Sequence, residues 1–408
     1  MGKGGESAKR AADEGPINVY LHGKVVDVTR FIHKHPGGAK ALRIFQNRDA
    51  TEQFEMYHSP AAHKMLQAMQ KEAPDAPADS GVATTEVGKD FAALTKHMHD
   101  LGYFKPDFFD ETFKLALTII PGIIGARLLH TGMPLLGAFL IGFSFYLSGW
   151  TSHDYLHHSV FKGTTKQLVH WNNAVGYLLG PLWQGYAVEW WRARHNTHHL
   201  VTNEDGNDPD IQTAPVFIYV RNNPKIAKAL NAVQRWQQYY YVPTMAVLDL
   251  YWRFESVQYL AMRPFRKNIA SWSLLAVHYA VLFYVFQDKL PYLALMSLVR
   301  GFLTGIVVFA THYGEDILDG GDHKMTLVEQ TARTSRNITG GYIMNILTGY
   351  ISLQTEHHLW PMMPTAHLSK AQTLTRSFFK KHGFEYRESN LIACVGYNIR
   401  ALRYAHLL

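Results

Sequence analysis

Two kinds of hydrophobic patterning divide the chain. Between Ile17 and about Glu72 the apolar positions are short and spaced: Val19, Leu21, Val25 and Val28 lie in two runs on either side of Gly23. That is the pattern of two short strands joined by a turn. Further on, the apolar positions come in long runs, at 115–129, 134–150, 269–286 and 291–310. A helix needs roughly 20 mostly apolar residues to cross a bilayer. The four runs therefore predict four membrane-spanning helices in two hairpins, the first being the shortest and broken by Pro121. Two further stretches, 169–187 and 240–262, carry scattered polar groups and read as interfacial helices. Residues 73–88, APDAPADSGVATTEVG, have no periodicity and read as a linker. The expected layout is a flexible N-terminus (1–15), a small domain (16–75), a linker (76–88) and a membrane domain (89–408).

Charge then sets the orientation. The loop at 130–133 has no Lys or Arg and the loop at 287–290 only Lys289, whereas Arg263, Arg266 and Lys267 stand just before the third run. Positive residues near span ends stay on the cytosolic side, so both termini and both long polar segments are expected there. The charged fraction of 18% lies below the roughly 25% of soluble domains, which again favours a membrane protein. The net charge of +7 invites a nucleic-acid partner, but no basic stripe accompanies it, and no nucleic-acid binding is expected. A single cysteine, Cys394, excludes an internal disulfide and a cysteine-based zinc site. Any metal must be held by His, carboxylate or amide.

The histidines supply the chemistry. His35 lies in VDVTRFIHKHPGG and His58 in DATEQFEMYHS. A Pro and two Gly let the backbone turn tightly and approach a flat cofactor. Two imidazoles on one haem iron leave no open position, which suits one-electron transfer; on spacing alone, haem binding and an ordinary His-containing turn both remain open. Three clusters follow: His153, His157 and His158 in HDYLHH; His195, His198 and His199 in HNTHH; and Gln354, His357 and His358 in QTEHH. Helical positions i, i+3 and i+4 share a face, so each cluster can converge on one point. All three lie on the expected cytosolic side. Seven or eight imidazoles exceed the about four ligands of a zinc site, so two metals are the simpler account. A nitrogen-rich redox site suits iron, although ligand type does not exclude zinc. Asp154, Asp208, Asp210 and Glu356 are candidates to orient the ligands. His312, at the cytosolic end of the fourth run, is a candidate extra ligand. His278, in mid-span, reads as a packing or helix-to-helix bonding residue. Arg300 reads as a snorkelling or helix-pairing residue, and Trp190, Trp191 and Trp360 as interface anchors.

The phrases DVT–F–HPGG and DAT–F–HS resemble the cytochrome b5 family closely over about 60 residues, and residues 17–408 resemble the front-end fatty-acyl desaturases. The resemblance implies an α+β cytochrome b5-like haem domain followed by an α-helical integral membrane desaturase domain with about four transmembrane helices and a cytosolic His-rich cap. It implies haem b on His35 and His58. It also implies a di-iron centre on His153, His157, His158, His195, His198, His199, His357 and His358, with Gln354 in the place of the third box's first histidine. O₂ is then the co-substrate, cytochrome b5 reductase the upstream partner, a fatty acyl lipid or acyl-CoA the substrate, and the endoplasmic reticulum membrane the location. The wording of HDYLHHSVFKG, EWWRARHNTHH, NEDGNDPDI and QTEHHLWPMMP is nearest the microalgal Δ8 desaturases of twenty-carbon polyunsaturated chains. Δ6, Δ5 and Δ4 acyl desaturases, sphingolipid long-chain-base desaturases and lipid hydroxylases share the architecture. A membrane-anchored haem electron carrier needs only His35, His58 and an anchor, and leaves the three boxes without a purpose.

Overall fold

The computed structural model describes residues 15–404 apart from 36, 59, 78–84, 162–165, 214–215, 219–231 and 320–324. The expected flexible segment up to residue 14, Pro36 and most of the expected linker lie outside the described residues. In the first domain, β1 (Asn18–Leu21) and β2 (Lys24–Asp27) pair antiparallel, with Val19 opposite Val26. Gly23 takes φ +72 in the turn, a conformation that favours glycine. Three helices complete the domain: α1 (Ala39–Ile44), α2 (Thr51–Tyr57) and α3 (Pro60–Gln70). Val19, Leu21, Val28, Ile32 and Phe45 form its buried core.

After α4 (Glu86–Asp100), capped by the Thr85 hydroxyl, the chain enters two helical hairpins. The first consists of α5 (Phe108–His130) and α6 (Pro134–Leu156). Both are longer than their apolar runs. The Asp107 carboxylate accepts the N–H groups of Phe109 and Asp110 and so starts α5 well before residue 115. Pro121 is accommodated inside it. Small residues bring the two helices together: a Cβ on Gly137 would lie 2.5 Å from the Leu129 nitrogen. The second hairpin is α11 (Ile269–Phe286) and α12 (Leu290–Ala310), reached through α7 (Lys166–Tyr177), a π-helical turn (Leu178–Gln184), α8 (Val188–Leu200), α9 (Gln237–Met245) and α10 (Leu248–Ala261). α5, α6, α11 and α12 are long and apolar enough to cross a membrane. Ile123, Leu135, Phe283 and Tyr284 are exposed on these helices, as lipid-facing residues must be. α6 is the most buried of the four.

Polar groups within the helical body pair with one another. Arg300 of α12 forms an ion pair with Asp249 at 2.8 Å and donates to the Gln184 carbonyl at 2.7 Å. His278 donates from Nδ1 to the Leu182 carbonyl at 3.0 Å and meets Arg253 at 3.1 Å. Both are the helix-pairing residues expected.

The remaining chain forms a cap: α13 (Leu327–Thr334), β3 (Asn337–Thr339), α14 (Gly341–Leu347), α15 (Gln354–Leu359), α16 (Thr365–His382), β4 (Glu388–Asn390) and α17 (Leu391–Tyr404), with β3 and β4 parallel. Its core joins Phe91 and Met98 of α4 to Leu359, Trp360 and Phe379. Trp190 and Trp360 are therefore core residues, 4% and 1% exposed, not interface anchors. The Trp360 indole donates to Thr95 at 2.9 Å, so its polar atom needs no interface water. Trp191 lies against the metal site described next.

Candidate metal centre and haem site

The longer span of α6 carries His153 in its last turn, and His157 caps it. The second box occupies α8 and the third α15. These three helix ends meet, and their histidines divide into two groups. His153, His157, His195, His199 and His357 form one, and His198, His312 and His358 the other; within each group the ligand atoms lie within 4.8 Å of one another. The groups adjoin, since His199 stacks on His358 with ring centroids 4.1 Å apart. All these residues are buried except His195, which is half-buried. The expectation that each box converges on one point needs correction. Successive helical residues point about 100° apart, so His195 and His199 serve one group while His198 serves the other. His357 and His358 part in the same way.

His158 belongs to neither group. Its φ of +57 makes it the left-handed residue that ends α6. The Ser159 N–H bonds the Asp154 carbonyl and the His158 N–H the Tyr155 carbonyl, the paired bonds of a Schellman turn. That turn swings the imidazole away, and Nε2 lies 3.0 Å from the Asn173 side-chain oxygen.

The hydrogen bonds around the groups fix which nitrogen is free. His198 bonds through Nδ1 to Asp208 at 3.0 Å and His312 through Nδ1 to the Thr334 carbonyl at 2.9 Å. A carboxylate and a carbonyl only accept, so both Nδ1 atoms carry the proton and both Nε2 atoms a lone pair. These two Nε2 atoms face each other at 3.3 Å. In the neutral tautomers two lone pairs meet there, and a proton or a metal ion between them is what relieves their repulsion. His153 likewise has Nδ1 3.3 Å from Asp154, and its Nε2 is buried with no hydrogen-bond partner. The Nε2 atoms of His195 and His157 approach to 3.0 Å, and those of His199 and His357 to 3.0 Å. The donor set and its tautomers thus fit metal ions bound at Nε2.

Electrostatics agrees. Burial, with neighbouring imidazoles adding to it, holds His157, His195, His199, His357 and His358 well below the usual histidine range. It takes His312 down to about 3. They stay neutral, which is the metal-binding form. His198 is raised: burial acts to lower it, but the carboxylates of Asp208 and Asp210 outweigh that. The Gln354 amide nitrogen lies 2.6 Å from His312 Nε2 and 3.0 Å from His358 Nε2, so its N–H groups are placed to donate to these two nitrogens and the side chain borders the smaller group. Its oxygen is buried without a hydrogen-bond partner. Of the four carboxylates expected to orient ligands, Asp154 and Asp208 do so, and Asp210 stands 3.6 Å from His198. Glu356 instead accepts from Asn337 at 2.8 Å and Tyr386 at 2.7 Å, pinning α15 to the β3 region of the cap. Thr202, 3.1 Å from His358 Nδ1, and Lys114, 2.9 Å from Asp154, support the site from positions that no sequence motif marks. Trp191 stacks on His195 with centroids 4.5 Å apart.

In the first domain, the rings of His35 and His58 face each other with centroids 5.9 Å apart. His35 donates from Nδ1 to the Gly38 carbonyl at 3.2 Å and His58 to the Phe54 carbonyl at 3.0 Å. Both therefore offer Nε2, and these two residues would hold a haem iron between them. Burial lowers His35 and takes His58 to about 4, so both are neutral. A Cβ at Gly37 would lie 2.8 Å from the His35 ring, which explains the glycine there.

A helical membrane body with a histidine-lined centre and a small domain offering two facing imidazoles defines a lipid-modifying oxidoreductase with a fused electron-carrier domain. The sequence model of the fatty acid desaturase family matches residues 131–390, and that of the cytochrome b5-like haem/steroid binding domain residues 6–71. An acyl-lipid 8-desaturase of Rebecca salina is 56% identical over the whole of both chains. A Delta(8)-fatty-acid desaturase of Euglena gracilis is 30% identical over 88% of each chain. The fatty acid desaturase 2-like protein FADS2B of Mus musculus is 25% identical over 98% of this chain and 84% of its own. The chain belongs to the fatty acid desaturase family, in the form that carries an N-terminal cytochrome b5 domain.

Proposed function

We propose that this protein is an oxygen-dependent front-end desaturase that places a cis double bond at Δ8 of twenty-carbon polyunsaturated acyl chains, with electrons from its own haem domain. The two adjoining groups of Nε2 lone pairs carry the oxidase chemistry, and the likeness to two Δ8 desaturases supports the position of the bond. His153, His157, His195, His199 and His357 would hold one iron, and His198, His312 and His358 the other, with the Gln354 amide beside them. His158 is left out of the ligand set. Iron bound there would supply, with O₂ and two electrons per turnover, the oxidant that removes hydrogens from two adjacent methylenes. The chain's own contribution is positional. Asp154 and Asp208 keep Nδ1 protonated on His153 and His198, and burial keeps bulk water from the centre. Haem b on His35 and His58 would pass single electrons, received from cytochrome b5 reductase. Loop charge supports a cytosolic position for the centre, and the likeness to the desaturase family supports the endoplasmic reticulum as its membrane. The substrate is an acyl chain on a lipid or on CoA.

The test is to feed yeast expressing the chain eighteen- and twenty-carbon di- and tri-unsaturated acids separately, and to locate new double bonds by mass spectrometry. A Δ8 bond in the twenty-carbon chains alone is expected. A bond at Δ6 or Δ5 would discard the position and keep the enzyme; altered long-chain bases with no new fatty acid would move the substrate to sphingolipid.

A second prediction concerns the donor. His35→Ala removes one of the two facing imidazoles and is expected to abolish the haem Soret band while leaving the non-haem iron in place. Desaturation should fall to background in a host without free cytochrome b5. Undiminished activity there would refute the fused donor.

A further inference from the structure

The haem domain is seated on the segment that follows α8. Arg48 reaches Glu204 with both guanidinium nitrogens at 3.0 Å, and Lys40 donates to the Asn207 carbonyl at 3.1 Å. Leu200, the last residue of α8, packs against the haem-domain core. These three anchors follow His199 directly in sequence, so the small domain docks on the segment that leaves the second histidine box. Charge pairing and apolar burial together fix one orientation for it.

In that orientation one side chain spans the two centres. Tyr57 is the last residue of α2, and its neighbour in sequence is His58. Its ring stands edge-on to His199, with centroids 6.4 Å apart and planes at 76°. His199 is the imidazole that joins the two metal groups, through its stack on His358. Tyr57 is thus covalently next to a haem ligand and in ring contact with a metal ligand.

We propose that Tyr57 is the bridge through which each electron leaving the haem reaches the metal pair. The proposal rests on the reading of His35 and His58 as haem ligands and of the two groups as iron sites. Electron tunnelling weakens exponentially with the gap, and least through covalent bonds and close-packed atoms. The path from His58 along the backbone to Tyr57 and across the ring contact to His199 contains one through-space step. One electron moves: the ferrous haem becomes ferric, and one ferric iron of the pair becomes ferrous. Tyr57 acts through its ring alone, and no proton moves with the electron.

The experiment injects one electron into the haem of the full-length, iron-loaded protein with a flash-reduced flavin under argon. Haem reoxidation is then followed at the Soret band. Tyr57→Phe keeps the ring and is expected to match the unmodified protein. Tyr57→Leu and Tyr57→Met fill the space without a ring and are expected to slow reoxidation severalfold, because the through-space gap to His199 widens. Haem spectrum, iron content and amide exchange protection across 200–208 should be unchanged in all three. Leu and Met variants as fast as Phe would overturn the bridge, as would a Phe variant as slow as Leu. Loss of protection at 200–208 in step with the rate would assign the effect to docking and also overturn it. Chelation of the non-haem iron separates the underlying reading: if the stripped protein reoxidises its haem as fast as the loaded one, the metal pair is not the acceptor.

Discussion

In the full-length chain, His357→Ala is expected to abolish new double bonds and to lower the non-haem iron content, while the haem Soret band keeps its full strength. His357 is the residue whose loss should unpick the larger group. Its ring lies 4.5 Å from that of His153, 4.7 Å from His199 and 5.1 Å from His157, centroid to centroid. Changing a residue that merely orients a ligand costs about 10–100-fold in metal affinity or activity, so removing the ligand should cost at least that. The comparison that gives the result its meaning is His158→Asn. Asparagine tolerates the left-handed conformation found at this position, and the side chain belongs to neither group. That variant should keep its iron and most of its activity, although HDYLHH offers His158 as the equal of His153 and His157. Iron per haem by elemental analysis, read beside the spectrum, decides between them. Equal loss of iron in the two variants would refute the division of the histidines.

The contrast between those two residues marks how far the sequence carries. The boxes were legible because i, i+3, i+4 spacing on a helix brings imidazoles to one side, whereas the pairing of His35 with His58 came from the family resemblance, since their spacing alone left an ordinary turn open. Four spans followed from apolar runs alone, and His312 from its position at a span end. Sorting within the boxes was not legible. His198 and His199 are adjacent letters, yet they serve different groups, because only the axial direction of each helix decides which way a side chain faces. The separate place of His158 was not legible for a related reason: α6 stops inside the first box, and a helix stop built from hydrogen bonds rather than from a Gly leaves no mark in composition. Trp190 and Trp360 were misread because an aromatic beside a membrane segment suits an interface or a core equally until packing chooses. Tyr57 and Lys114 were passed over since each acts through a neighbour more than two hundred residues away, or on a separate domain.

Lys114 gives the largest expected effect on stability. It sits in α5 at the level of the metal site, with a side chain 10% exposed. Its ammonium donates to Glu111 at 2.5 Å, Asp154 at 2.9 Å and Thr365 at 2.7 Å, and Asp110 lies at 3.4 Å. Thr365 in turn donates to Asp154 at 3.0 Å. Three carboxylates thus share one cation, and one of the three is the acceptor that orients His153. Lys114→Met keeps much of the volume and removes the charge, leaving buried carboxylates that repel. Removing one partner of a buried pair costs about 3–5 kcal/mol. The expected result is a marked drop in the unfolding midpoint of the purified protein, together with weaker retention of iron because Asp154 is no longer held. Adding Asp154→Asn should recover part of the loss, with a coupling of about 0.5–3 kcal/mol between the two sites, since it removes one of the stranded charges and leaves an oxygen that still accepts from His153. Lys114→Arg keeps the cation and should fall between the unmodified protein and Lys114→Met. A Lys114→Met protein with an unaltered midpoint would mean that the carboxylates take up protons at no cost, and that the cation is not what holds α5, α6 and α16 together beneath the metal site.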